Sequence, residues 1–230
     1  LRETSLQAIN LAGIQGGIIY PEENNIRKNS NPTEGDAVDF LGTPITIPYW
    51  YYLKSPNSCE GSCELALAVP KLRKNDGSPS IELELQKFID RNIKSCLNDF
   101  SAFEQQGFIV MEITEPKATV TIAKSSVNVL LSYDIKAESQ NAPTTDIAGS
   151  YVSIPLNLER IYNLAATLTS YEQQYTYLEK HIINLIYGYS SLDNDHLPPP
   201  SDTAFDLSGG VSWQRSFVEQ SLILLLEPNI

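Results

Sequence analysis

The sequence predicts an α+β fold: an antiparallel meander of about four strands packed against long amphipathic helices. Three observations lead there. A run of apolar residues at helical spacing lies between Ile81 and Phe103, and a longer one lies between Leu158 and Tyr189. Between them, Ala118, Val120 and Ile122 alternate with Thr119 and Thr121, the two-residue period of a half-buried strand.

From the N-terminus, Leu1, Ser5, Ala8 and Ala12 fall along one stripe of a helix, and Gly13 is expected to cap it. Gln15-Gly16-Gly17 reads as a turn into an extended Ile18–Tyr20 ended by Pro21. The polar stretch 22–39 shows neither period and reads as a loop. Pro44 and Pro48 confine any strand near Ile45–Ile47 to a sheet edge. In the first long helix, Leu85, Phe88, Ile89, Ile93, Cys96, Leu97 and Phe100 form the buried stripe. Phe108–Glu115, Ala118–Ala123 and Val127–Lys136 are expected to form the meander, with Lys124-Ser125-Ser126 as a tight turn. Tyr151–Leu156 is the fourth strand. The second long helix carries Ile161, Leu164, Ala165, Leu168, Tyr171, Tyr175, Leu178, His181, Ile182, Leu185 and Ile186 at three- and four-residue steps, and its tyrosines read as core or rim packing. A loop over 190–210 with Pro198-Pro199-Pro200 leads to a last helix from Trp213 to Leu226. The whole chain, 1–230, reads as one α+β region.

Charge and composition narrow the function. Of 230 residues 42% are hydrophobic and 19% charged, which is globular rather than disordered. A net charge of −12 opposes a phosphate backbone, so no nucleic-acid partner is expected. Leu222–Leu226 and the other apolar runs are too short to span a bilayer. The chain opens at Leu1-Arg2-Glu3 and ends at Glu227-Pro228-Asn229-Ile230, and both ends read as cuts in a longer protein. Any membrane attachment is therefore expected through a segment outside this chain.

Cys59 and Cys63 enclose Glu60-Gly61-Ser62, a loop flexible enough to let the sulfurs meet as a disulfide. Free thiols are the alternative, and zinc would need a second ligand pair that the sequence lacks. Cys96 is left odd and reads as a buried thiol in its helical stripe. Leu1–Ile19 and Cys96–Val110 also share a weak helix–glycine–strand pattern. If the two are related, the residue before Leu1 in the parent would be a cysteine able to pair with Cys96. Disulfides place a protein in an oxidising compartment, so the expected location is extracytoplasmic, at the cell surface.

Four successive aromatics, Tyr49, Trp50, Tyr51 and Tyr52, are the candidate binding residues. They can form a stacking platform for a protein or other cell-surface partner, or pack over the core and lock the Cys59 loop. Signs of catalysis are weak. His181 lies in an apolar stripe, where a core or rim histidine is the default. Asp193-Asn194-Asp195-His196 falls short of a calcium loop. Ser62 and Ser150 lack the glycine frame of a nucleophile elbow. Gln15-Gly16-Gly17 lacks the Lys and Ser/Thr of a phosphate loop. No metal and no cofactor is expected. An interaction module is the leading reading, and a hydrolase using paired carboxylates on envelope polymers is the alternative.

The combined pattern is a helix into Gln15-Gly16-Gly17, then Ile47-Pro48-Tyr49-Trp50, then the Cys96-Leu97 helix. The meander follows, then the Leu158–Tyr189 helix, a proline-rich loop, and Trp213 with Val218, Leu222 and Asn229. This resembles uncharacterised membrane-anchored surface proteins of small-genome archaea. Those are usually preceded by one hydrophobic anchor and a short cysteine-containing segment. The resemblance implies an anchored, outward-facing domain and carries no catalytic residues with it.

Overall fold

The computed structural model describes residues 1–29, 34–39, 43, 45–59, 63–74, 79–97, 100–139, 142–190 and 215–226. The chain folds as two compact units, Leu1–Thr169 and Ser170–Ile230.

The first unit holds α1 (Arg2–Ile14), two small strand pairs, α2 (Ile81–Cys96), the single turn α3 (Ser101–Glu104) and the main sheet. The small pairs are β1 (Ala37–Asp39) with β2 (Thr46–Pro48), and β3 (Tyr51–Leu53) with β4 (Leu65–Leu67). The main sheet comprises β5 (Phe108–Glu112), β6 (Lys117–Ile122), β7 (Ser126–Ser139) and β8 (Ala142–Pro155), all antiparallel. The helix α4 (Leu158–Tyr175) leaves β8, and α5 (Tyr177–Ser190) and α6 (Arg215–Leu226) belong to the second unit.

The α+β class is as the sequence predicts, but the strand order is not a simple four-strand meander. The long β7 pairs with β8 along one edge, and β6 and β5 lie end to end along the other. What looks like two neighbouring strands, 108–115 and 118–123, is therefore one broken strand. Pro116 offers no N–H to the ladder. Just before it, the amides of Ile113 and Thr114 both donate to the Asp134 carbonyl, at 2.9 and 3.4 Å, while Asp134 N–H donates to Thr114 Oγ1. The ladder is interrupted there and resumes at Lys117. The fourth strand is also longer than expected, running from Ala142 rather than Tyr151. A register shift between Leu131 and Asp134 lies opposite Gly149, whose φ of 66° a side chain would strain.

The core lies between the sheet and α1 and α2. Ala118, Val120 and Ile122 are buried on one face of β6, as their alternation predicts, with Val127, Val129, Leu131 and Tyr133 of β7 beside them. Leu85, Ile89 and Ile93 of α2 are each 1% exposed against this face. Thr4, Ser5, Ala8 and Ala12 form the buried face of α1. That stripe is made of small residues, and small side chains let helices approach closely.

Helix α2 also covers the open edge of β6. Glu82 accepts the Ile122 amide at 2.8 Å and Asp90 accepts the Ala118 amide. The two acids are eight residues apart, about 12 Å of helix, and the two amides are four residues apart, about 13 Å of strand. The carboxylates thus meet the edge donors in step, and the edge cannot pair with another chain. Burial pushes the Asp90 carboxyl upward, opposed by the Ala118 N–H and by Lys117.

Three other expectations are corrected. Gly13 does not cap α1; the helix continues to Ile14, and the chain turns at Gly16 and Gly17, with φ of 61° and 95°. A Cβ on Gly17 would stand 2.8 Å from the Ile81 side chain. The stretch 22–39 is not all loop, since Pro21–Asn24 forms a 3₁₀ turn and Ala37–Asp39 forms β1. Neither long helix is continuous. The first stops at Cys96, and Phe100 adopts a φ of 62° so that its ring packs 6.1 Å from Tyr133.

In the second long helix, Thr176 sits at φ 48° and splits α4 from α5. The Tyr-Thr-Tyr run around it has low helix propensity. The Thr176 amide closes α4 on the Glu172 carbonyl, and its own carbonyl accepts Lys180 N–H to open α5. Glu172 Oε1 also accepts the Leu178 amide at 2.8 Å, satisfying a donor at the new helix start.

Burial, with Glu112 beside it, pushes the Tyr133 phenol up to about 12. A raised phenol favours the fold fully below the unfolded value near 10, and that contribution is lost as pH rises through 12. Stability is therefore expected to fall by about 1 kcal/mol between roughly pH 10 and 12 on account of this one group. Urea titrations of wild type and Tyr133→Phe across that window check it: wild type should lose stability relative to the variant as pH rises, and a pH-independent difference would contradict the assignment.

Candidate binding cleft

The four aromatics occupy the link between the two small strand pairs. Pro48 is paired with Ala37, and Tyr49 N–H donates to the Asp36 carbonyl at 2.9 Å, which fixes the chain as it leaves β2. In β3, Tyr51 pairs with Leu67 and Tyr52 with Ala66, while the Ala68 amide donates to the Trp50 carbonyl. The backbone of the whole run is thereby held in place.

The side chains part ways. Trp50 turns toward α1, where its Nε1–H donates to the Gly16 carbonyl at 2.8 Å. Its ring packs 6.0 Å from Tyr162, whose hydroxyl donates to the Pro70 carbonyl. Trp50 thus ties the turn after α1 to the base of α4. Tyr51 is half-buried in β3. Tyr49 and Tyr52 stay together, ring centroids 6.5 Å apart and planes inclined by 40°.

Those two rings wall a cleft of about 410 Å³. Pro48 and Pro70 add rigid apolar surface, and Asn25, Asp36 and Lys71 add polar groups of each kind. Asn25 is in the left-handed conformation at φ 56°, closing the 3₁₀ turn on this side. Burial raises the Tyr49 phenol, so it stays a neutral hydroxyl able to donate or accept at ordinary pH. A few placed polar groups among aromatic and apolar walls is the usual make-up of a binding pocket, and the size suits a small ligand or a short segment of a larger one.

Cys59 and Cys63 are joined by a disulfide, with Cα atoms 5.8 Å apart. It lies in the connection between β3 and β4, next to the Lys54–Glu64 ion pair at 2.7 Å. Closing so small a loop is worth about 2 kcal/mol of unfolded-chain entropy, and it braces the strand that carries Tyr52.

The remaining candidates do not join this site. Cys96 is exposed, not buried as its stripe suggested, because the buried face of α2 ends one turn earlier at Ile93. His181 stacks on Tyr177 with centroids 5.9 Å apart. Ser150 lies within β8. Ser62 and the Asp193–His196 run lie outside the described residues. Among the described residues no group of three or more His, Cys, Asp and Glu side chains is placed to hold a metal, and no helix is long and apolar enough to cross a membrane. Among the described residues the lining of the cleft contains one carboxylate, Asp36. Elsewhere the buried Glu82 and Glu84 and the partly buried Asp90 are engaged by backbone amides.

The cleft's other walls were not legible in the sequence. Pro70, Lys71 and Asn25 reach Tyr49 and Tyr52 only through long-range packing, and no short motif unites them. The nearest signal is the proline at each wall, since rigid, donor-free residues often edge a preformed groove. Comparisons with protein-family models, with curated proteins and with solved structures find no match to this chain.

Proposed function

We propose that this chain is an extracytoplasmic interaction module that binds a cell-surface partner through the Tyr49–Tyr52 cleft. The observation that carries the proposal is the pairing of two inclined tyrosine rings with Asn25, Asp36 and Lys71 around one cleft. Aromatic faces supply contact area at little entropic cost, and the polar groups supply orientation. The Cys59–Cys63 disulfide supports an oxidising location. The cleft is built from backbone-paired strands and a disulfide-braced turn, so little ordering is needed on binding.

The test is binding of the purified chain to isolated cell envelopes of the organism that carries it. The double variant Tyr49→Ala/Tyr52→Ala is expected to bind at least about tenfold more weakly, the loss of one or two good contacts. Its melting temperature should stay near wild type, because both rings are partly exposed. Equal binding by wild type and variant, with both folded, would remove the cleft from the proposal.

A further inference from the structure

The polar groups left open in the tyrosine cleft define the kind of partner it takes. Asn25, Asp36, Tyr49 and Tyr52 all line it. Among the described residues, the Asn25 side chain, the two phenol hydroxyls and Asp36 Oδ1 have no hydrogen-bond partner, while Asp36 Oδ2 accepts the Arg27 amide at 3.4 Å. A hydroxyl or a carboxamide both donates and accepts, and a carboxylate accepts only. A sugar hydroxyl also donates and accepts, so a mixed set of this kind pairs with it and leaves few groups unsatisfied. Charge narrows the choice further. Asp36 and Lys71 are the charged residues among the described lining, one of each sign. In a chain of net charge −12, a site so balanced gives a phosphate, sulfate or uronate no net attraction.

Given the cleft as the binding face, a reading on which this one rests, we propose that its partner is a neutral cell-surface glycan. A sugar ring stacks on Tyr49 and Tyr52, and its hydroxyls are held by Asn25 and Asp36. The flat C–H face of a pyranose ring packs on an aromatic face. The two tyrosine planes are inclined by 40° with centroids 6.5 Å apart, so they are not one flat platform. Such a pair suits a single bent saccharide chain better than the surface of a sheet-like polymer, and a volume of about 410 Å³ leaves room for a short one. The polar groups are set in advance. The Asp36 amide donates to the Arg27 carbonyl and its carbonyl accepts the Tyr49 amide, both at 2.9 Å, which fixes the carboxylate beside the first ring. The Asn25 amide donates to the Glu22 carbonyl at 3.3 Å, which fixes the turn that presents its carboxamide. Little order is left to impose when the ligand arrives.

Binding to envelopes before and after periodate oxidation tests the proposal, since periodate cleaves the vicinal diols of sugars and spares peptide bonds. The purified chain is added to washed envelopes, either oxidised or mock-treated. Wild type is expected to bind the oxidised envelopes at least about tenfold more weakly. Asp36→Asn keeps an acceptor for the Arg27 amide but trades one carboxylate oxygen for a donor. It should bind mock-treated envelopes about fivefold more weakly, at an unchanged melting temperature. Equal binding by wild type to oxidised and mock-treated envelopes would overturn the glycan, and loss of that binding on proteinase K digestion would then name a peptide instead. Unchanged or tighter binding by Asp36→Asn would overturn the neutral ligand held by Asp36, because removing a negative charge helps only an anion. The double variant Tyr49→Ala/Tyr52→Ala separates the two readings. If it binds mock-treated envelopes like wild type, the cleft itself is wrong. If it binds weakly while wild type is indifferent to periodate, the cleft stands and the sugar does not.

Discussion

Replacing Glu84 with alanine is expected to lower the folding free energy by about 3–5 kcal/mol, the largest loss for any single polar side chain in the first unit. Glu84 is 1% exposed, yet it sits on α2 among the apolar residues of the core. One carboxylate oxygen accepts the amides of Ile19 and Tyr20 at 3.0 and 2.8 Å. The other accepts from the Asn24 amide at 3.3 Å and the Lys87 ammonium at 3.2 Å. Ile19, Tyr20 and Asn24 lie where the chain turns from α1 into the 3₁₀ segment, so one acid stands in for a missing strand. Removing it leaves two backbone amides unpaired at the edge of the core. Lys87 retains Glu23 at 3.0 Å, which limits the damage on that side. Glu84→Gln keeps the shape and one acceptor and should cost roughly half as much. Urea unfolding of the three proteins measures this, and a loss under about 1 kcal/mol for the alanine variant would contradict the assigned role.

Trp50→Ala is expected to cost about 2–3 kcal/mol, somewhat below the range for a fully buried tryptophan because the ring is only half covered. The indole carries both an aromatic contact with Tyr162 and the hydrogen bond to Gly16. Trp50→Phe keeps much of the packing and loses the donor, for about 1 kcal/mol. Binding to cell envelopes by whatever fraction remains folded should be close to wild type, since Trp50 faces away from the cleft. A Trp50→Ala protein that melts like wild type but binds poorly would place the indole in the binding face instead.

This contrast shows where the sequence was informative. Elements whose identity rests on local period were legible: the Leu85–Ile89–Ile93 stripe, the Ala118–Val120–Ile122 alternation and the Cys59–Cys63 loop all describe the folded chain. Four adjacent aromatics announced a feature, but not its division. Which of them faces the cleft depends on Gly16, Tyr162 and Pro70, residues about 20 to 110 positions away, and no local pattern encodes that. The breaks at Phe100 and Thr176 were missed for a related reason. Apolar spacing continued through both, while the left-handed backbone there is imposed by packing at Phe100 and by the Glu172 cap at Thr176. The order of β5 and β6 depends on one proline and one carbonyl, Pro116 and Asp134, that two strand-like runs conceal.

Hydrogen–deuterium exchange of the chain, alone and bound to cell envelopes, tests the central claim most directly, because it reports where the partner sits without altering any residue. The cleft reading predicts slowed exchange confined to the amides around Asn25, Tyr49–Tyr52 and Val69–Lys71. Saturable binding that protects another surface and leaves those amides unchanged would contradict it.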